Sequence, residues 1–206
     1  MDILFLGGVF DNDSYVEKSK KGIQNAANIL QWNIINGIEC VIGKPINILN
    51  SIFVGSFPKK YTDVLVRSYN WSHVDGAVDR NVGFINIDGV KHISRSYKIS
   101  KDIKKWARQL SKEKIIIAYS MHTPFLYAIK RAKRINPNIK ICLVVPDLPQ
   151  YMKLSTNPSI LYKLFKSMDI KLIRTLMKYV DYYVFLTKYM ADFFNIPSDR
   201  YVVVEG

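Results

Sequence analysis

Three stretches of this 206-residue chain combine residue types and neighbours that could do chemistry. The first runs from Gly7-Gly8, at the end of the apolar run Ile3 to Leu6, through a polar loop to Lys21-Gly22, where a helical pattern begins. Free backbone N–H groups at a helix amino end, with the helix dipole, attract an anion such as a diphosphate. A glycine there lets backbone approach a ligand with no Cβ in the way; the same glycines would serve equally as turn residues. The second stretch is Ser120-Met121-His122-Thr123-Pro124, directly after the apolar KIIIAY. A neutral imidazole at a strand-to-helix passage can donate to a substrate hydroxyl or accept its proton, or else be satisfied by nearby backbone. The third is Pro146-Asp147-Leu148-Pro149, after IKICLVV. Asp147 is suited to binding hydroxyls, and is equally a turn former beside its prolines.

The elements around these stretches alternate between strand and helix. Ile3 to Leu6 is a short buried strand. Lys21 to Gly37 carries Ile23, Ala26, Ala27, Leu30 and Ile34 at helical spacing, with Gly37 as the expected stop. Residues 39 to 98 offer only short strand candidates: INILNSIFVG, TDVLVRSY, VGFINI and VKHIS. Beyond them, Ser100 is expected to cap a helix with Ile103, Trp106, Ala107 and Leu110 inside. KIIIAYS reads as a strand apolar on both faces, as a central parallel strand must be. Thr123-Pro124 opens a helix that stops at Asn136-Pro137, IKICLVV is the next strand, and a long helix follows Pro158. DYYVFL, a short helix after Thr187, and YVVV complete the series. This βαβα order predicts an α/β fold: a Rossmann-like, doubly wound, mainly parallel sheet with flanking helices, over a single domain spanning 1–206. Ligands in such sheets bind at the carboxyl ends of the strands, where all three stretches fall.

Composition narrows the class. Hydrophobic residues make up 49% of the chain, an ordinary globular content, and no run approaches the roughly 18 apolar residues of a membrane span. The first residues lack the basic region of a signal peptide. Cys40 and Cys142 are too far apart for metal-ligand spacing, and Cys142 sits in an apolar run; a cytoplasmic setting is expected. The charge needs an explanation, because 30 Lys plus Arg against 17 Asp plus Glu give +13. Such an excess fits nucleic acid, a membrane surface or a phosphorylated substrate. Lys163, Lys166, Lys171, Arg174 and Lys178 fall within roughly 140° of one helical face, and Asp169 interrupts the apolar side as a candidate kink. Lys130, Arg131, Lys133 and Arg134 form a second cluster, and Lys101, Lys104, Lys105 and Arg108 a third. Each cluster alone reads as a solvated face; together, with aromatic neighbours such as Tyr162, Phe165, Tyr179 and Tyr182, they fit docking on an anionic membrane.

Lys21-Gly22-Ile23-Gln24, Ser120 to Pro124, Pro146 to Pro149, Leu186 to Met190 and Val202 to Gly206 together resemble the amino-terminal domain of retaining GT-B glycosyltransferases. Within these the chain is most similar to family four, in its bacterial capsule, exopolysaccharide and glycolipid members. The resemblance implies two Rossmann-like domains across a cleft, no cofactor and no metal. The amino-terminal half would hold a saccharide or lipid-linked acceptor, and a second domain, expected after Gly206, would grip the nucleotide-sugar donor. It implies a diphosphate-facing role for Gly22, with Lys21 and Gly8 beside it, and an acceptor-facing role for Gln24. His122 would lie beside the transferred sugar, with Thr123 adjoining it and Asp147 near the acceptor cleft. Transfer would proceed with retention, in the cytoplasm or peripherally on the inner face of the membrane. Rival readings are a basic nucleic-acid-binding module and a non-catalytic membrane scaffold. The first lacks any helix-turn-helix, RRM or zinc pattern, so no nucleic-acid partner is expected. A nicotinamide-dependent oxidoreductase is disfavoured by the missing G-x-G-x-x-G.

Overall fold

A computed structural model describes residues 1–10, 14–20, 24–111, 113–149 and 160–204, with the backbone alone over 160–165. The apolar run after Met1 forms β1 (Asp2–Gly7), and a turn of helix follows at α1 (Ser14–Glu17). The helical pattern becomes α2 (Asn25–Ile42), then β2 (Asn47–Asn50). Short strands β3 (Leu65–Val66), β4 (Tyr69–Trp71), β5 (Asp79–Asn81) and β6 (Phe84–Ile85) lead to α3 (Val90–Arg108). From there β7 (Lys114–Tyr119), α4 (Thr123–Ile135), β8 (Lys140–Val145), α5 (Ile160–Leu176), β9 (Tyr182–Phe185), α6 (Lys188–Phe194) and β10 (Tyr201–Val203) alternate as expected.

The main sheet has the order β10-β9-β8-β7-β1-β2-β5-β4. Every pairing in it is parallel except the antiparallel β4–β5 edge. The order runs one way from β1 through β2 and the other way from β1 through β7. A crevice therefore opens between the carboxyl ends of β1 and β7, the switch point where ligands bind in doubly wound sheets. Two layers close the core. One face of β1, β7, β8 and β9 packs Leu6, Ile116, Ile141 and Phe185 beneath Ile103, Phe125, Ile129 and Ile173 of the helices. The other face packs Ile3, Phe5 and Ile48 against Ile35 and the half-buried flank of α2.

Several sequence expectations change. Gly37 does not stop α2; the helix runs on to Ile42 and ends at Gly43, whose φ of 67° is the left-handed cap. VKHIS is not a strand but the first turn of α3, so Ser100 lies in mid-helix rather than at its cap. Ile103, Trp106 and Ala107 are buried as expected, whereas Leu110 lies past the helix end and is fully exposed. Asp169 causes no break, since α5 is continuous through it and its carboxylate accepts a hydrogen bond from Thr123. In the weakly patterned region, His73 is held between Asp79 at 2.7 Å and Glu39 at 3.0 Å, tying the β4–β5 edge to α2.

Phe125 rests against the His122 and Phe53 rings, 5.0 and 5.7 Å between centroids, and is wholly buried. Phe125→Ala is expected to lower unfolding free energy by about 3–5 kcal/mol. Leu110→Ala should change it by less than about 0.5 kcal/mol. Urea unfolding of both variants checks the pair, and a large loss at Leu110 would contradict the packing described.

Candidate functional site

β7 ends in an unusual turn. Ser120 is buried with φ 69°, the left-handed region that a non-glycine residue enters only where its surroundings hold it. Its N–H is tied to the carbonyl of Val144 on β8, 2.8 Å away. The turn delivers His122 to the N-cap position of α4, with Thr123 and Pro124 opening the helix. The N-cap makes no side-chain capping bond, so the imidazole is not spent on satisfying the helix end.

The ring faces a cleft of about 2480 Å³ at the switch point, among Phe53, Arg95, Tyr119 and Thr123. Phe53 and Phe125 meet it edge-on. Its Nε2 lies 3.3 Å from Nη1 of Arg95. A guanidinium is a donor only, so Nε2 accepts and the ring proton belongs on Nδ1. That Nδ1 is shielded and has no hydrogen-bond partner among the described residues. Burial, then the Arg95 charge, then His92 and Lys91 hold the His122 pKa well below its ordinary value. The histidine is therefore neutral at pH 7, a hydrogen-bonding group rather than a cation.

Arg95 and Lys91 were not singled out by sequence, because the β-branched Val90 and Ile93 made VKHIS read as a short strand. On α3 they instead extend the buried stripe Ile99, Ile103 and Ala107 backwards at four-residue spacing. That stripe was the available signal. Arg95 is 2% exposed, stacks on Phe84 with 3.9 Å from its central carbon to the ring centroid, and donates from Nη2 to the Ile52 carbonyl at 2.7 Å. Its Nε has no partner, and none of the salt bridges among the described residues reaches it. Burial draws its pKa down to about 9, which still leaves it charged at pH 7. One turn earlier, Lys91 donates to the Val54 carbonyl, and burial followed by repulsion from Arg95 brings its pKa to about 7.

The structure places the other expected residues as follows. Gln24 is exposed and lines the cleft, as do Thr123 and the exposed Asp147 with Pro146 and Pro149. The Thr123 hydroxyl is already committed to Asp169 across the α4–α5 contact. Gly8 is turned to structural use: its N–H donates to Gln31 Oε1 at 2.8 Å, and a Cβ there would fall 2.6 Å from the Phe53 ring. Its amide is thus not free for a ligand. Lys21, Gly22, Glu205 and Gly206 lie outside the described residues, as does the side chain of Lys163. Lys166 lines the cleft, while Lys171 and Arg174 of α5 and Lys178 just past its end are exposed and do not line it.

No protein-family model matches the chain, and no curated protein matches it. Among solved structures it is similar to the "OtsA apo structure", at TM-score 0.48 and 10% identity. That match covers 95% of this chain, which spans 42% of the length of the other. No helix among the described residues is long and apolar enough to cross a membrane.

Lys91 gives the site a pH signature. Its native pKa lies below the ordinary 10.5, so between the two values the unfolded chain binds more protons, and stability rises with pH. From pH 7 to 8.5 the unfolding free energy should climb by about 1–2 kcal/mol. Lys91→Met should flatten that slope in a denaturant titration series. An unchanged slope would place the charge elsewhere.

Proposed function

We propose that this chain is the acceptor-side half of a GT-B, sugar-nucleotide-dependent glycosyltransferase acting with retention, in the synthesis of a bacterial surface polysaccharide or glycolipid. The observation that carries the reading is His122, a neutral, cleft-lining imidazole at the switch point of a doubly wound sheet. It stands at the strand-to-helix position where its resemblance to that family puts the sugar-facing histidine.

In this reading the bond between the donor sugar's anomeric carbon and its phosphate oxygen breaks. The acceptor hydroxyl oxygen then bonds to that carbon on the same face. The hydroxyl proton passes to the leaving phosphate, so no protein base is needed. The transition state is oxocarbenium-like, and charge accumulates on the diphosphate, where the amide of Gly22 would meet it. Lys21 would add charge there, Gln24 and Asp147 would hold acceptor hydroxyls, and Thr123 would fix the start of α4 through Asp169. His122 orients the sugar. Nε2 is occupied by Arg95 and Nδ1 is shielded, so the ring would turn to bring its Nδ1–H to the sugar. The donor-binding half would follow Gly206, and no metal or cofactor enters the scheme. Lys171 and Arg174 of α5 and Lys178 just past its end, all exposed, would rest the enzyme on the inner membrane face.

The test uses the native-length protein and a panel of nucleotide sugars, with release of nucleoside diphosphate as the readout. His122→Ala should slow release on the order of 100-fold or more while leaving the unfolding midpoint close to wild type. Because the histidine orients and does not titrate, wild-type rate should not fall between pH 7 and 6 through this group. Unchanged turnover in His122→Ala sinks the assignment.

A further inference from the structure

The +13 charge is unevenly disposed, and the cleft collects it. Among the described residues its walls carry ten Lys and Arg side chains against three carboxylates, Asp88, Asp147 and Asp169. One of the three already accepts the Thr123 hydroxyl. The cations follow a pattern. α3 contributes Tyr97, Lys101 and Lys104, and α4 contributes Tyr127, Arg131 and Arg134. Both sets have the spacing i, i+4, i+7, which puts each on one helical face. The two helices precede neighbouring parallel strands, β7 and β8, and pack side by side, so the two stripes run in the same direction along one groove. Each tyrosine lies at the end of its stripe nearer the site, Tyr97 two residues past Arg95 and Tyr127 five residues past His122. The cations continue away from it for about 10 Å of helix.

What is not paired matters as much. Away from the cleft, Lys133 of α4 reaches Asp181 at 2.7 Å, and Arg80 of β5 binds Asp102 of α3 at 2.7 Å. None of Lys101, Lys104, Arg131 and Arg134 takes part in a salt bridge among the described residues. Four cations facing one another across a groove repel, and that repulsion is relieved when an anionic ligand lies between them.

We infer that the α3–α4 groove binds a polyanionic saccharide, one bearing carboxylate or phosphate groups on successive residues, and presents its end to His122. That the ligand is an acceptor rests on the glycosyl-transfer reading; that the groove holds it rests on the charges. Two tyrosines at the site end offer ring faces for the apolar side of a sugar. The cations beyond them fix the charged remainder, with the arginines able to grip carboxylate or phosphate bidentately. A recessed groove between two helices suits a chain, whereas a membrane surface needs a protruding face.

The experiment is calorimetric titration of the chain with tetragalacturonate, with neutral maltotetraose as the control, at low and moderate salt. Tetragalacturonate should bind at least about tenfold more tightly than maltotetraose and weaken as salt rises. The triple variant Lys104→Gln, Arg131→Gln, Arg134→Gln should lose about tenfold or more in affinity. Lys171→Gln with Lys178→Gln, in α5 and just past its end and outside the cleft, should lose less than twofold. Amide shift mapping on the wild type locates the ligand without any variant and should mark α3 and α4. Equal affinity for maltotetraose, equal loss in the α5 pair, or shifts away from both helices would overturn the proposal. So would tighter groove-dependent binding of oligothymidylate or of phosphatidylglycerol vesicles. Tetragalacturonate binding that persists in His122→Ala, beside a failed transfer screen, would refute the enzymatic reading and leave the groove standing.

Discussion

A guanidinium buried with no carboxylate beside it is the constraint on which this site depends. Removing such a charge from water is expensive unless its donors are used. Arg95 uses them on the Ile52 carbonyl, the Phe84 ring face and Nε2 of His122. Each partner belongs to a different part of the chain. The carbonyl follows β2, the ring is in β6, and the histidine follows β7. The charge therefore fastens three segments around the switch point. Together with burial, the larger cause, it keeps the histidine neutral, because a cation against Nε2 disfavours a second one on the ring.

The same logic extends outward from Arg95. Lys91, Arg95 and His122 form a positively biased floor, and α3 and α4 carry further unpaired cations along the groove above it. Short-range pairs elsewhere, Lys114 with Asp2 and Lys133 with Asp181, are neutralised within the fold. None of the cations lining the cleft takes part in a salt bridge among the described residues. Cations gathered there without carboxylate partners keep a positive field where an anionic substrate or leaving group would sit.

How much of this was legible in the sequence follows from the strength of each local signal. β7, α4, β8 and β9 were readable because long apolar runs and a Thr-Pro helix opening leave few alternatives, and His122 was found because it sits at such a boundary. Gly37 misled because it stands at a place where a glycine stop is plausible, yet the half-buried Ile38 and Ile42 carry the apolar face on for another turn. Leu110 misled because periodicity does not say where a helix ends. VKHIS misled because Val90 and Ile93 are β-branched strand formers, and two of the inward positions on the first turns of α3, Lys91 and Arg95, are cations. A lysine and an arginine facing a core break the apolar pattern that reveals a helix. Arg95 was hidden for that reason: the residue that organises the site is the one that violates the local rule.

The measurement that bears most directly on this account is the protonation state of His122 by nitrogen-detected NMR of the labelled protein, in wild type and in Arg95→Met. The account predicts a ring protonated on Nδ1 in the wild type that stays neutral through the ordinary histidine range, with its titration moving part of the way back up once the guanidinium is removed and burial alone holds it down. A wild-type His122 that protonates near 6.5, or that carries its proton on Nε2, would contradict it.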